Sequence, residues 1–264
     1  MNISSLFIEG KVMNIIVSLT SYPQRYSTLH ICLESLFNQS MKPDLIVLYI
    51  YEKDMSLPNS VLEYEKKGLL IKVVNDDLKS HKKYFYAMQE FSNDILITVD
   101  DDIIYPVYLV EKLVTSYMQY PKAIFAGRAH GIRLNDDGSL LRYIDWEREI
   151  KYYNKPSHRL MATGVGGILY PPHCLTSEVF NKSAIKKYCL NQDDVWLKCM
   201  ELLSEVPIIL IEQASQHPPG IPNVYTEGLY LENKLNGGTD KALSLVLKTY
   251  SINLERIFKK YEQI

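Results

Sequence analysis

The chain of 264 residues is 47% hydrophobic, enough to bury a full core, and one domain with a C-terminal appendage is the expectation. A formal net charge of -2 leaves no broad basic field to hold a polyanion, which argues against nucleic acid as a partner. Cys32, Cys174, Cys189 and Cys199 form neither a disulfide framework nor a CxxC zinc pair, and no window reaches the roughly 18 apolar residues of a membrane span, so a reducing cytoplasm without a secretory leader is expected.

Residues 13–19 read as a buried strand, and after the loop TSYPQR the positions Leu29, Cys32, Leu33, Leu36 and Phe37 recur at helical spacing. The unit repeats. A strand at 45–50 precedes a helix near 58–67, a strand at 69–74 precedes a helix near 79–91, and a strand at 94–99 precedes a helix near 106–120 that opens on Pro106. Four such units in succession imply an α/β fold with a mainly parallel sheet covered by helices on both faces. Ligands of such sheets sit at the carboxyl ends of the strands.

Beyond residue 121 the alternation weakens. KAIFAG at 122–127 reads as a fifth strand, GVGGILYPP at 164–172 as a glycine-rich loop entering another, residues 193–204 as a helix, and VPIILI at 206–211 as a further strand. Residues 240–264 are helical in pattern, with Tyr250, Leu254, Ile257, Phe258 and Tyr261 on one apolar stripe. That helix is expected to pack on the body, with peripheral membrane contact as the alternative.

The stretch ITVDDDIIYP, residues 97–106, places Asp100, Asp101 and Asp102 directly after a buried strand. Three adjacent carboxylates repel one another unless something positive lies between them, and a divalent cation is the usual remedy. Oxygen ligands without neighbouring histidine or cysteine suit magnesium or manganese rather than zinc. On an extended segment Asp100 and Asp102 share a side and Asp101 points elsewhere. In NDDLKSHKKYFYAM, residues 75–88, Lys79, His81, Lys82 and Lys83 crowd the start of a helix, where the dipole disfavours cations, so a nearby anion such as phosphate is expected.

Taken together, VSLTSYPQR, DLKSHKK, ILITVDDDIIYP, GRAHGI, TGVGGILYPP and QDDVWL occur in an order and spacing that resembles bacterial GT-A fold glycosyltransferases related to family 2, of the capsule and surface polysaccharide type. The resemblance covers roughly residues 13–215. It implies a single Rossmann-like GT-A domain, with 1–12 as an N-terminal extension, 13–120 as the nucleotide-binding half, 121–220 as the acceptor and catalytic half, and 221–264 as a helical tail. It also implies a metal-dependent hexosyltransferase that moves sugar from a nucleotide sugar, with UDP preferred, to a glycan or lipid-linked acceptor with inversion.

The same resemblance assigns roles residue by residue. Asp100 and Asp102 form a DxD pair that holds manganese or magnesium, Asp102 most directly, while Asp100 and Asp101 also lean toward the nucleotide. His217 is a candidate late metal ligand. Thr20, Tyr22 and Arg25 line the nucleotide pocket, Lys79 and Lys83 meet its phosphates, and either Asp76 or Asp77 bonds the base. Arg128, Gly166 and Gly167 border the donor sugar, with His130 beside Arg128, and Trp196 is either part of the sugar-binding wall or core. The general base for the acceptor hydroxyl is one of the pair Asp193 and Asp194, with Asp194 preferred; the competing reading of that pair is helix capping.

Three other functions share parts of this pattern. A haloacid-dehalogenase-type phosphatase would need Thr or Val at Ile104, and a nucleotidyltransferase would need a glycine-rich phosphate cradle in the first loop. A non-catalytic sugar-binding scaffold would have to carry its buried acidic clusters without a ligand, which is costly.

Overall fold

The computed structural model describes residues 6–8, 11–151, 154–212, 218–222 and 237–261. A hairpin of β1 (Leu6–Ile8) and β2 (Lys11–Met13) precedes the main sheet. Alternating units then follow: β3 (Ile15–Thr20), α1 (Tyr26–Phe37), β4 (Leu45–Tyr51), α2 (Asn59–Leu62), β5 (Leu69–Val74), α3 (Lys82–Phe85) and α4 (Ala87–Glu90), β6 (Ile95–Thr98), and α5 (Leu109–Gln119). The second half contains β7 (Ile124–Ala126), β8 (Ala129–Gly131), β9 (Leu160–Ala162), β10 (Ile168–Tyr170), α6 (Lys182–Ala184), α7 (Asp193–Leu203), β11 (Ile208–Leu210), α8 (Gly238–Thr249) and α9 (Leu254–Tyr261).

Seven strands form one sheet in the order β11-β7-β10-β6-β3-β4-β5, and β8 pairs with β9 in a separate ribbon. Strands β3 to β6 pair in parallel, as the sequence pattern predicts, and so do β7 and β11. The sheet is nevertheless mixed, because β10 runs antiparallel to both of its neighbours, β6 and β7. The reason lies in the connection: the chain leaves β7, forms the β8–β9 ribbon outside the sheet, and re-enters from the opposite direction.

Period-two alternation divides the core between the two faces of the sheet. Ile15, Val17, Leu19, Ile46, Leu48, Ile95 and Ile97 pack with Leu29, Cys32, Leu33 and Leu36 of α1 and Leu113 and Val114 of α5. Ile16, Val47, Tyr49 and Leu96 belong to the other face, with α7 and α8 contributing Val195, Trp196, Met200, Leu243 and Val246.

Three predicted helices are interrupted. The helix expected near 58–67 is α2 followed by a 3₁₀ turn, Glu63–Lys67, ended by the left-handed Gly68. The one near 79–91 is a 3₁₀ turn followed by α3 and α4, broken where the Lys83 carbonyl accepts a hydrogen bond from Ser18 Oγ at 2.6 Å. The C-terminal helix is also two, α8 and α9, with Ser251 at φ +53° between them. Tyr250 meets Trp196 edge-on at 5.9 Å, while Phe258 lies 1% exposed beneath the Arg159 guanidinium. Tyr250, Leu254, Ile257 and Phe258 of the stripe that offered a membrane contact pack on the body instead, and no helix among the described residues is long and apolar enough to cross a membrane.

Candidate active site

Strand register brings the sequence motifs to one edge. Ile168, the first residue of β10, lies opposite Thr98, the last of β6, and Ala126, the last of β7. Just outside that edge therefore lie Asp100–Asp102 after β6, Gly164–Gly167 before β10, and Gly127–Arg128 after β7. The antiparallel strand is what carries the glycine run to the carboxyl end of β6.

Gly127 and Gly166 touch through their backbones. A Cβ on Gly127 would stand 2.0 Å from the Gly166 carbonyl oxygen, and one on Gly166 would stand 2.4 Å from the Arg128 nitrogen. Gly166 and Gly167, expected beside the donor sugar, thus answer first to the protein's own packing. Gly164 is the glycine that faces the acidic cluster, since a Cβ there would lie 2.8 Å from both Asp100 Oδ1 and Lys83 Nζ. Gly127→Ala is expected to push the Gly164–Gly167 loop away at a cost of about 1–3 kcal/mol, as overpacking does. A melting temperature and UDP affinity equal to the parent's would count against this close approach.

The charges interlock across four motifs. Arg25 Nη1 sits 2.6 Å from Asp101 Oδ1 and 2.9 Å from Asp102 Oδ2, and its Nε donates to Tyr22 Oη at 3.1 Å. Lys83, whose side chain is 4% exposed, lies 2.6 Å from Asp100 Oδ1 and 2.9 Å from Asp193 Oδ2. Ser80 Oγ donates to Asp193 Oδ1 at 2.7 Å, and the Gly164 N–H donates to Asp194 Oδ1 at 3.1 Å. The anion sought near residues 79–83 and the cation sought near residues 100–102 are in part each other.

Protonation follows from this arrangement. Five carboxylates, Asp100, Asp101, Asp102, Asp193 and Asp194, share two close cations, Arg25 and Lys83. Burial and then the Asp100 charge push Asp102 up to about 6. Asp193 is held down at about 2 against its own burial, because Lys83 and the Ser80 hydroxyl stabilise its charge. Asp194 moves the other way. Burial first, and then the Asp193 and Asp100 charges, raise it well above the ordinary carboxylate range. Sequence alone leaves the two aspartates as alternatives; here Asp193 is paired with a lysine and accepts from a serine, whereas Asp194 is half-buried and accepts one backbone N–H.

The remaining candidates separate. Thr20 Oγ1 donates to the Tyr49 carbonyl at 2.8 Å at the end of β3. Asp76 pairs with Lys182 at 2.5 Å and Lys186 at 3.2 Å, and Asp77 pairs with the exposed Lys79 and with Lys82. Arg128 donates to Thr163 Oγ1 at 2.9 Å and to Glu149 Oε1 at 3.0 Å, and His130, 2% exposed, accepts the Glu149 N–H through Nδ1 at 3.1 Å. Trp196 is a correction. It is 0% exposed and donates Nε1–H to the Val179 carbonyl at 3.0 Å, so its ring is core and not a sugar wall. His217 lies outside the described residues; residues 218–222, which follow it, pair with the segment after β6 through Ile104 N–H to Pro219 O at 3.0 Å and Ile221 N–H to Asp102 O at 2.8 Å.

Sequence reasoning missed Ser80 and Tyr105, and read Gly164 only as part of the glycine run. Tyr105 Oη accepts the Asp100 N–H at 2.8 Å, curling the acidic loop back on itself. Ser80 carries no pattern of its own, and only the position of α7 shows its partner.

Among the described residues no group of three His, Cys, Asp or Glu side chains closes on a metal position. Asp100 and Asp102 nevertheless fit a hard divalent cation. They present oxygen donors from side chains 30% and 23% exposed, and the crowding that raises Asp102 is what added positive charge relieves.

No curated protein matches the chain. Among solved structures, a mannosyltransferase from Pyrobaculum calidifontis in complex with GDP-Man and Mn2+ is similar at 10% identity and TM-score 0.52, over 88% of this chain and 64% of that one. TarS 1-349 from S. aureus in complex with UDP is similar at 9% identity and TM-score 0.49, over 78% and 59%. Glucosyl-3-phosphoglycerate synthase from Mycobacterium tuberculosis, in complex with Mn2+, UDP and phosphoglyceric acid, is similar at 15% identity and TM-score 0.34, over 43% and 42%. The chain spans less than two thirds of the length of each of these proteins, and the first of them bears on the fold alone. The profile of glycosyl transferase family 2 matches residues 17–177, which include Arg25, Lys83, Asp100–Asp102, Arg128 and Gly164. That match covers more than half of the chain, and the protein belongs to glycosyl transferase family 2.

Proposed function

We propose that the protein transfers a glycosyl group from a nucleotide sugar, with UDP as the preferred nucleotide, to a glycan or lipid-linked acceptor with inversion, in surface polysaccharide synthesis. One observation carries the reading: Asp100 and Asp102 on one side, and the pair Asp193–Asp194 on the other, meet across Lys83 and Gly164 at the carboxyl edge of the sheet. A donor side and an acceptor side are thereby a side chain apart. Four free cysteines, three of them buried, agree with a site of action in the reducing cytoplasm.

In this reading Asp100 and Asp102 would hold magnesium or manganese, which would supply charge neutralisation to a departing diphosphate. Arg25 and Lys83 are fixed cations beside the same group. Two carboxylates each keep them protonated, Asp101 and Asp102 for Arg25, Asp100 and Asp193 for Lys83, although burial opposes it. Tyr22 holds Arg25 through its hydroxyl and ring face. Asp194 takes the proton of the acceptor hydroxyl, and its raised affinity for a proton is the property a general base needs.

Asp102→Asn tests the donor side. Ionised Asp102 is disfavoured in the fold, because its folded value of about 6 lies above that of a free carboxylate, so its charge costs stability at neutral pH. The variant is therefore expected to melt at or above the parent's temperature without metal, while Arg25 keeps Asp101. Manganese-dependent UDP binding is expected to fall at least tenfold. Equal affinity for UDP in both proteins, with manganese present, would refute the metal assignment.

A further inference from the structure

The segment between β8 and β9 carries a cation that the donor side does not use. The Arg148 guanidinium carbon lies 5.5 Å from the centre of the Tyr143 ring, its Nη2 is buried without a hydrogen-bond partner, and no carboxylate among the described residues pairs with it. Arg128 is nearby and incompletely used: Nη1 and Nη2 reach Thr163 and Glu149, while Nε is buried without a partner. Tyr143 locates both arginines relative to the proposed base. Its ring stands edge-on to His130 at 5.8 Å, His130 accepts the Glu149 N–H, Glu149 pairs with Arg128, and Arg128 reaches Thr163, whose neighbour Gly164 donates to Asp194.

Stacking on tyrosine is by itself an ordinary structural use of arginine. It does not account for the buried donors. A charged N–H removed from water without an acceptor is costly, and here Arg128 has the one carboxylate of Glu149 while Arg148 pairs with none among the described residues. A ligand that brings negative charge removes that cost. Charged N–H donors on two neighbouring arginines match the several oxygens of a phosphoryl group better than a neutral sugar hydroxyl.

We propose that Arg148, with Arg128 beside it, receives a phosphoryl group carried by the acceptor close to the hydroxyl that is glycosylated. The inference rests on the reading of Asp194 as the acceptor-side base, and it makes the acceptor a phosphorylated sugar or a lipid-linked sugar phosphate, which share this chemistry. Arg148 is then a specificity-determining residue.

The test is calorimetry on the full chain saturated with UDP and manganese, so that phosphate cannot bind on the donor side. The probes are N-acetylglucosamine 1-phosphate as the soluble source, its dodecyl diphosphate ester as the lipid-linked one, and uncharged N-acetylglucosamine. The parent is expected to bind at least one phosphorylated probe. Arg148→Gln is expected to weaken that binding at least tenfold, Arg148→Lys less, with UDP affinity and melting temperature unchanged and no effect on the neutral sugar. The better phosphorylated probe identifies the source. UDP binding by the parent without binding of either phosphorylated probe, or equal affinity in parent and Arg148→Gln, overturns this proposal alone. A parent that does not bind UDP with manganese overturns the donor reading and this proposal with it.

Discussion

Asp194→Asn is expected to keep nucleotide and donor binding near the parent's level and to lose transfer by about 10²- to 10⁴-fold, the usual worth of general-base help. The substitution is conservative where it matters for the fold: the amide oxygen can still accept the Gly164 N–H that Asp194 Oδ1 accepts at 3.1 Å. Asp193→Asn is expected to behave differently. It takes one of two carboxylates from Lys83, a cation 4% exposed, and the outcome is weaker donor binding and a lower melting temperature together. The pH profile adds a second reading. A base must be ionised to act, and burial with two neighbouring charges raises Asp194, so the acid limb of transfer is expected to lie above the ordinary carboxylate range of about pH 4. Transfer by Asp194→Asn at the parent's rate, or a retained configuration at the product's anomeric carbon, would remove Asp194 from this role.

The difference between the two aspartates shows where sequence reading stops. Asp193 and Asp194 are adjacent, identical and both at the start of a helix, so no local rule ranks them. What ranks them is Ser80 and Lys83, more than a hundred positions earlier, which bond directly to Asp193 and not to Asp194. Strands β3 to β6 were legible because buried parallel strands are runs of β-branched and apolar residues with helices between them. The direction of β10 was not, because three residues, Ile168–Tyr170, carry no sign of which way they enter a sheet. Trp196 misled for a related reason. An aromatic residue beside an acidic pair is compatible with a sugar wall, yet two residues beyond Asp194 the turn of α7 carries it into the core, 0% exposed. For Asp100–Asp102 the alternation argument matches the burial observed: Asp101 is 6% exposed on its side chain, against 30% and 23% for its neighbours.

Helix α7 also carries the second large expected effect. One turn beyond Asp194, Lys198 and Glu201 form an ion pair 3.5 Å apart with side chains 1% and 2% exposed. The pair is poorly satisfied, since Lys198 Nζ and Glu201 Oε2 have no hydrogen-bond partner. Burial acts on both in the neutralising direction, lowering Lys198 and raising Glu201 to about 7. Removing one member leaves the other buried without its counter-charge, which typically costs about 3–5 kcal/mol. In a chain of this size that corresponds to roughly 6 to 20 °C in melting temperature. Lys198→Met and Glu201→Leu are each expected to fall in that range. The double substitution is expected to melt near or above the parent, because an apolar pair of similar volume avoids desolvating two charges. Transfer should survive in it, since Asp193 and Asp194 are held by Ser80, Lys83 and Gly164 rather than by this pair. The thermal-melt cycle of parent, two singles and double measures the coupling directly. Loss in the double equal to the sum of the singles would show that the two charges act independently, and that α7 is held at this turn by its apolar contacts and not by the pair.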